Sequence, residues 1–222
     1  MNIIANALEA KFREHANPEI AEPMEAYMRN QFVFLGIKTP ERKQLLREFW
    51  KQNEKPQGEE LLQTAEQLWQ LMEREFHYVA MGLLEKYGKE AKPPHIDVLE
   101  RWVTTQSWWD TVDFLAAHLV GYQLSKYPEL IADYTARWIV SENLWLRRTA
   151  ILFQLKYKQH TDTERLFDYI RRTKGESEFF IRKAIGWALR EYAKTDAALV
   201  HRFVKETDLS PLSKKEALKH IL

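Results

Sequence analysis

The sequence predicts an all-α fold built from stacked pairs of helices. Apolar residues recur at intervals of three and four, the period of an amphipathic helix, and not at intervals of two, as in a strand. Residues that interrupt helices are scarce, with 7 Gly and 8 Pro among 222 residues, below their usual combined share of about 12%. The third observation is a repeat of 35 residues, which indicates stacked helix pairs. A chain of this length fits one domain, and we predict a single domain over residues 1–222.

Signals for helix ends divide the chain into roughly twelve helices joined by short loops. Three starts are predicted where Pro and an acidic residue share a first turn, because both are favoured there. They lie at Asn17–Glu19, Thr39–Glu41 and Pro128–Glu129. The spacing of a capping box predicts further starts at Thr161–Glu164 and Ser213–Glu216. Gly88 and Gly175 are predicted helix ends.

Four tyrosines mark a repeat of 35 residues, which is clearest over residues 73–194. Each ends a similar segment, and the four are Tyr87, Tyr122, Tyr157 and Tyr192. The helix before each of the first three segments carries a tryptophan, at Trp69, Trp102 and Trp138. A period of this size in a helical chain indicates stacked helix pairs, each of which buries its apolar face against its neighbours. We expect the tyrosines to pack between helices.

Equivalent positions in successive repeats should lie side by side along one surface. Lys183, Arg148 and Asp113 are separated by 35 residues each, so they are equivalent. Trp109 precedes Asp113 by four residues and Trp187 follows Lys183 by four, and residues four apart share a helix face. The second helices of the repeats should therefore carry one continuous stripe, which consists of Trp109, Asp113, Arg148, Lys183 and Trp187.

The net charge of +1 hides an uneven distribution of charge. Residues 1–100 hold 13 basic and 17 acidic side chains, whereas residues 101–222 hold 20 basic and 15 acidic ones. Between residues 145 and 194 the count is 12 basic to 6 acidic. Cations that recur along repeat helices suit a phosphate backbone. A solvated basic face balanced by acids elsewhere explains the same counts, and charge alone leaves both interpretations open.

An acid on this basic surface needs an explanation. The segment SWWDTVDF (107–114) places Asp113 inside a helix, where Asp is a poor helix former, at a position that is basic in the next two repeats. Two interpretations remain open: Asp113 takes part in chemistry, or it forms a structural ion pair with Arg148.

Several classes of site are excluded or unsupported. The chain has no Cys, so disulfides, thiolate zinc sites, iron–sulfur clusters and cysteine nucleophiles are ruled out. The motifs HExxH, GxSxG and the P-loop are absent and the 7 His are dispersed, so we expect no metal and no cofactor. No secretory signal is visible at the start, and no stretch approaches the ~18 apolar residues that span a bilayer. We expect a soluble, cytoplasmic protein without a membrane partner.

Six segments share specific motifs with one known family. In chain order they are AEPMEAYMRN (21–30), FLGIKTPERKQLL (34–46), SWWDTVDF (107–114), WLRRTAILFQLKYKQ (145–159), FFIRKAIGWALREYAKT (179–195) and PLSKKEALKHI (211–221). In these segments the chain closely resembles the AlkD-type DNA alkylation repair enzymes, which are bacterial alkylpurine DNA glycosylases. The resemblance implies HEAT-like helical repeats in a curved right-handed superhelix, an α-α solenoid.

The resemblance also implies an activity and a site. The activity is excision of 3-methyladenine and 7-methylguanine from double-stranded DNA in base excision repair, by a monomer in the bacterial cytosol or nucleoid with no obligate protein partner. Matched by motif, Asp113 is the catalytic acid, Trp109 and Trp187 flank it, and Arg148 contacts the DNA backbone. No lysine stands out as a Schiff-base nucleophile, so we expect a monofunctional enzyme that hydrolyses the glycosidic bond without strand cleavage.

Further DNA contacts are predicted at six positions. The basic positions among them are Lys156, Lys183, Arg190 and Lys194. Tyr27 and Thr39 lie in the matched N-terminal motifs and are predicted to contact the opposite strand. Two other functions remain open: a non-catalytic DNA-binding protein on the same scaffold that recognises distorted or branched DNA, and a HEAT-type scaffold for protein interactions.

Overall fold

The computed structural model describes residues 2–87 and 89–219, with the backbone alone described at Tyr87. These residues are helical or form turns and loops, and they contain no strand; Val33 and Glu73 form an isolated bridge. The all-α prediction is confirmed. Gly88, a predicted helix end, and the last residues of the matched C-terminal segment lie outside the described residues.

The chain divides into two compact units, residues 1–90 and 91–222. The described residues of the first unit form five helices: α1 (Ile3–Arg13), α2 (Pro18–Tyr27), α3 (Thr39–Gln52), α4 (Gly58–Trp69) and α5 (Arg74–Tyr87). Its core includes Phe12 and Phe76, whose ring centroids lie 5.8 Å apart. A single domain over residues 1–222 stays a prediction.

The second unit contains the helices that carry the predicted stripe. Its described elements are α6 (His95–Thr104), α7 (Trp109–Phe114), a π-helical segment (Leu115–Val120), α8 (Gly121–Lys126), α9 (Glu129–Trp138), α10 (Leu144–Leu152), a 3₁₀ turn (Lys158–His160), α11 (Thr163–Thr173), α12 (Phe179–Ala193), α13 (Ala197–Glu206) and α14 (Pro211–Ala217). The stripe residues lie on α7, α10 and α12. Helix α7, the π segment and α8 run on without a break. None of the helices in the described ranges is both long enough and apolar enough to cross a bilayer.

The 35-residue register is visible in the positions of the helices. The second helices of the pairs, α5, α7, α10 and α12, begin at Arg74, Trp109, Leu144 and Phe179, at intervals of 35 residues. The three marker tryptophans lie in the last turns of the first helices α4, α6 and α9, and each is at most 1% exposed. Within the second unit, α10 packs against α9 and against the next second helix, α12. This is the contact pattern of stacked pairs.

The predictions of helix starts are partly confirmed. Helices α2, α3 and α9 begin where Pro and an acid share the first turn, and Asn17 caps α2 by accepting from two backbone N–H groups. The two capping-box predictions are wrong. Asp162, a better cap than Thr, accepts the N–H of Arg165 and starts α11. Ser210 accepts the N–H of Ser213 and is followed by Pro211 as the first helical residue of α14.

Two of the repeat tyrosines, Tyr122 and Tyr157, lie in different environments; the side chain of Tyr87 lies outside the described part of the chain. Tyr157 donates its hydroxyl to the carbonyl of Gly121 at 2.7 Å, and burial raises the pKa of this phenol above its ordinary value. Tyr122 is 44% exposed, so the expectation that it packs between helices is wrong. The π segment just before it inserts an extra residue into the helix, which rotates the residues that follow by about 100°. Tyr122 therefore matches the repeat in the sequence but lies on a different face of its helix.

Candidate functional site

An ion pair between Asp113 and Arg148 lies at the centre of the predicted stripe. The Nε of Arg148 donates to Oδ1 of Asp113 at 2.7 Å, and Nη2 donates to Oδ2 at 2.9 Å. The remaining nitrogen, Nη1, donates to the backbone carbonyl of Phe180. Arg148 is only 4% exposed. One buried guanidinium thus joins α7, α10 and α12.

The repeat register places these groups opposite each other. Asp113, Arg148 and Lys183 are each the fifth residue of their helix, in α7, α10 and α12 respectively. The start of α10 is fixed by Asn143, whose Oδ1 accepts the N–H groups of Trp145 and Leu146 at 2.9 and 3.3 Å. Capping therefore sets where the helix begins, and the helix start sets which side chain faces Asp113.

Two opposing effects act on the pKa of Asp113. Burial raises its pKa above the ordinary value, and the nearby charge of Asp110 adds to the rise. The hydrogen bonds and positive charge of Arg148 offset part of it by favouring the ionised form. The side chain is 19% exposed, so the carboxylate keeps one edge towards solvent.

All five stripe residues line one open depression of about 260 Å³, the Asp113 depression. Its walls are formed by Trp109, Asp113, Arg148, Phe179, Phe180, Lys183, Trp187, Arg190 and Glu216. The aromatic walls and the Asp113 carboxylate face the same space. The structure therefore brings together the five residues that the register groups.

An aromatic cluster lies under Arg148. The rings of Trp108, Trp145 and Phe180 contact one another, with centroids 5.1–5.8 Å apart. The guanidinium carbon of Arg148 lies 5.9 Å from the centroid of the Phe180 ring. Trp108 and Trp109 thus have different tasks: the first packs in the cluster and the second lines the depression.

Glu216 belongs to the site, although the sequence reasoning did not include it. Its Oε1 lies 2.9 Å from Nζ of Lys183, and its Oε2 lies 2.7 Å from Nη1 of Arg190. These two cations hold the pKa of Glu216 down at about 2. Gly186 makes the approach possible, because a Cβ added there would lie 2.4 Å from Cβ of Glu216. A glycine in the middle of α12 was the one sequence signal of this contact.

Two other predicted DNA contacts lie beside a neighbouring depression of about 410 Å³. Lys156 and Lys194 line it together with Asp113 and Trp187. Lys156 is exposed, and Lys194 pairs with Glu191 at 2.6 Å while 67% of its side chain stays exposed. Both ammonium groups are therefore within reach of a ligand that covers the Asp113 depression.

The two N-terminal candidates lie in the first unit. Tyr27 is the last residue of α2 and is 70% exposed. Thr39 is the first residue of α3 and is exposed, and its hydroxyl accepts a long hydrogen bond from Arg42 at 3.4 Å. Their contact with a DNA strand stays a prediction.

The site combines three chemical capabilities. A carboxylate at the surface can stabilise a positive charge that develops beside it. Indole faces attract cations, and the surrounding Lys and Arg side chains suit phosphate groups. In the part of the chain that the structure describes, no three or more His, Asp or Glu side chains are grouped so that they could hold a metal ion.

Comparison with known proteins identifies the family. The sequence profile of the DNA alkylation repair enzymes matches residues 8–221. The structure of a predicted DNA alkylation repair enzyme from Enterococcus faecalis is similar, with 36% identity, coverage of 92% of this chain and 96% of that one, and a TM-score of 0.84. The crystal structure of smu.31 from Streptococcus mutans, 22% identical over 82% of this chain and 92% of that one, shares the fold with a TM-score of 0.60. No curated protein matches. The chain belongs to the family of DNA alkylation repair enzymes.

Proposed function

We propose that this protein is a monofunctional alkylpurine DNA glycosylase of the AlkD type. It hydrolyses the N-glycosidic bond of cationic purines, such as 3-methyladenine and 7-methylguanine, in double-stranded DNA, as the first step of base excision repair. Family membership supports DNA as the substrate. The observation that carries the proposal is the Asp113 depression, in which one held carboxylate faces two tryptophans.

The leaving group explains why a single carboxylate suffices. Methylation at N3 of adenine or N7 of guanine gives the base a positive charge, so the base departs without being protonated by an acid. The sugar then takes on oxocarbenium character, as in other glycosidic cleavage. An anion beside the sugar stabilises that charge electrostatically. Asp113 supplies the anion and positions the attacking water from its solvent-facing edge.

Trp109 and Trp187 add to the stabilisation of positive charge. Both line the depression that contains Asp113. The electron-rich face of an indole attracts a cation by about 0.5–2 kcal/mol, more when water is excluded. The positive charge lies first on the alkylated base and moves to the sugar as the glycosidic bond breaks. These walls therefore favour the alkylated nucleotide over an undamaged one.

Arg148 has a positioning task in this proposal. Its guanidinium is almost fully buried and makes three hydrogen bonds to Asp113 and Phe180, so it fixes the carboxylate and favours the ionised form. A contact between Arg148 and the DNA backbone, implied by the family resemblance, remains part of the proposal. A phosphate contact would make DNA binding more salt-dependent, whereas a positioning task would leave the salt dependence unchanged.

The other parts of the proposal concern setting and partners. The protein acts as a monomer in the bacterial cytosol or nucleoid, without a cofactor and without an obligate protein partner. Lys156, Lys183, Arg190 and Lys194 contact backbone phosphates, and Tyr27 and Thr39 contact the opposite strand. The position of all four basic residues beside Asp113 or Trp187 supports their role.

The decisive experiment measures release of methylated bases by the variant Asp113→Asn. We expect single-turnover release of 3-methyladenine and 7-methylguanine from methylated duplex DNA to fall by about 100- to 1000-fold, because the transition state loses its anion. Asp168→Asn is the matched control, since it removes one charge from an exposed pair with Arg172. It should stay within twofold of wild type. Equal activity in Asp113→Asn and wild type would show that the ion pair is structural and not catalytic.

A further inference from the structure

We propose that Glu216 sets the affinity and selectivity of the enzyme for DNA by occupying the phosphate position of Lys183 and Arg190. A backbone phosphate must displace the carboxylate before it can bind to these two cations. The inference rests on the proposed function in one respect, namely that DNA is the ligand of the Asp113 depression.

Lys183 and Arg190 hold the carboxylate of Glu216 between them. Lys183 and Arg190 are seven residues apart on α12, which is two helical turns, so their side chains project from the same face. Each contacts a different oxygen of Glu216, at 2.9 and 2.7 Å. A carboxylate held on two oxygens by two cations presents the charge and acceptor pattern of a phosphodiester.

The position of Glu216 points to a task in the site. Glu216 lines the same depression as Asp113 and Trp187, together with both of its cationic partners. It comes from α14, which lies after the repeats that supply the stripe. Gly186 allows the close approach, and the hydroxyl of Ser213 donates to the carbonyl of Arg182 at 2.9 Å and fastens α14 to α12. The fold thus delivers an anion to a surface that would otherwise attract DNA more strongly.

The three side chains remain accessible to a ligand. Lys183, Arg190 and Glu216 are 36%, 24% and 16% exposed. A phosphate approaching the depression therefore meets a pair of cations that are already partly satisfied. The phosphate must replace the two contacts of Glu216 and does not simply add new ones. The affinity for DNA of any sequence is therefore reduced. The lesion-dependent contacts of Asp113 and the tryptophans then contribute a larger share of the binding energy.

The test uses Glu216→Gln, which keeps the size of the side chain and removes its charge. The matched control is Asp168→Asn, which makes the same change of charge at an exposed pair outside the depression. Dissociation constants for an undamaged duplex are measured by fluorescence anisotropy over a range of salt concentrations. We expect Glu216→Gln to bind at least fivefold more tightly at low salt. The slope of log K against log salt should steepen by about one unit, because the variant has one more unopposed positive charge to neutralise phosphate, and each neutralised phosphate contributes about 0.9.

A second set of variants assigns the effect to the two cations. In the background Lys183→Gln with Arg190→Gln, adding Glu216→Gln should leave the salt slope unchanged. Glu216→Asp, whose shorter side chain cannot reach both cations, should fall between wild type and Glu216→Gln. It also tests the idea if Glu216→Gln fails to fold, as judged by far-UV circular dichroism.

The outcomes separate this inference from the proposed function. The inference is overturned if Glu216→Gln binds DNA no more tightly than Asp168→Asn, even when wild type releases methylated bases. If wild type releases no base while Glu216→Gln shows the expected gain in affinity, the glycosylase proposal fails and the role of Glu216 stands. If base release rises in step with binding to undamaged DNA, Glu216 sets affinity without selectivity, and that half of the inference is overturned.

Discussion

Each unit of the molecule holds a carboxylate near the start of a second helix, and the two are held in different ways. Glu75, the second residue of α5, is fully buried and accepts three backbone N–H groups, those of Leu35, Gly36 and Ile37, each at 3.0 Å. Asp113, the fifth residue of α7, accepts two bonds from Arg148 and keeps 19% of its side chain exposed.

This contrast shows what separates a structural carboxylate from one that can act on a ligand. Glu75 directs its oxygens at backbone donors and fixes the turn at Gly36, whose φ of +86° favours glycine. Asp113 is also largely covered and hydrogen-bonded, but its solvent-facing edge can still accept a hydrogen bond. The two carboxylates therefore differ in both exposure and hydrogen-bond partners: Glu75 is fully buried against backbone donors, whereas Asp113 stays partly open to a ligand.

The largest expected effect is on stability, at Glu75. In Glu75→Gln an amide N–H₂ replaces one of the accepting oxygens and faces backbone N–H donors. We expect the free energy of unfolding to fall by about 3 kcal/mol, because hydrogen bonds to a buried carboxyl group are lost and buried backbone donors are left unsatisfied. Urea denaturation measures this loss. Single-turnover base release by the folded variant should stay within threefold of wild type.

The control for Glu75 is Glu54→Gln, at an exposed loop position, which should leave stability unchanged. A Glu75→Gln variant with normal stability and impaired base release would contradict the contrast, since Glu75 would then have a functional task.

The next largest effect tests how closely the second unit must pack around its site. In Gly186→Ala the new methyl group lies 2.4 Å from Cβ of Glu216 and 3.0 Å from the carbonyl of Ser213, so α14 must move. We expect a loss of about 2 kcal/mol in the free energy of unfolding, as for other overpacked sites. Thermal unfolding measures the loss. Gly82→Ala is the control, because a Cβ there meets nothing within 4 Å. A Gly186→Ala protein as stable as this control would show that α14 adapts without strain.

The smallest effect concerns the positioning task of Arg148. The ionised form of Asp113 is the active one in our proposal, so activity falls as the pH drops through the pKa of this carboxyl. Removing the positive charge in Arg148→Gln raises that pKa further, and the acid limb of the pH–rate profile should move to higher pH. We expect base release at neutral pH to fall about tenfold, equivalent to about 1.4 kcal/mol. Single-turnover rates from pH 5 to 9 measure both effects.

Salt dependence distinguishes the two tasks of Arg148. If the pH profile of Arg148→Gln is unchanged while its salt slope flattens by about one unit, the backbone contact is its main task. Arg172→Gln, at an exposed pair, serves as the control for the change in charge.

Much of the fold follows from the sequence because, in a repeat protein, residues one period apart lie beside each other in space. A period of 35 residues groups Asp113, Arg148 and Lys183, and the helices do begin at that interval. The failures come from local chemistry that a period does not encode. Ser210 competes successfully with Ser213 as a cap because Pro211 follows it, and the π segment turns Tyr122 away from its expected face.

The site was predictable only as far as the repeats extend. Every stripe residue lies within residues 73–194, where the register relates one helix to the next. Glu216 lies beyond them, and no periodic relation links α14 to α12. Its approach depends on the missing side chain of Gly186 and on the bond from Ser213 to Arg182. These are contacts of tertiary structure, which a pattern along the chain does not reveal.

The three hydrogen bonds of Arg148 also bear on the stiffness of the helix stack. A stack of helix pairs can bend along its length, because each pair contacts only its neighbours and small displacements add up from pair to pair. The guanidinium of Arg148 joins α7, α10 and α12 at the carboxylate by hydrogen bonds, and we expect this stretch to be stiffer than a stack held by apolar contacts alone. In the proposed reaction, these bonds would keep the Asp113 carboxylate in place relative to α10 and α12 when DNA binds to the second unit.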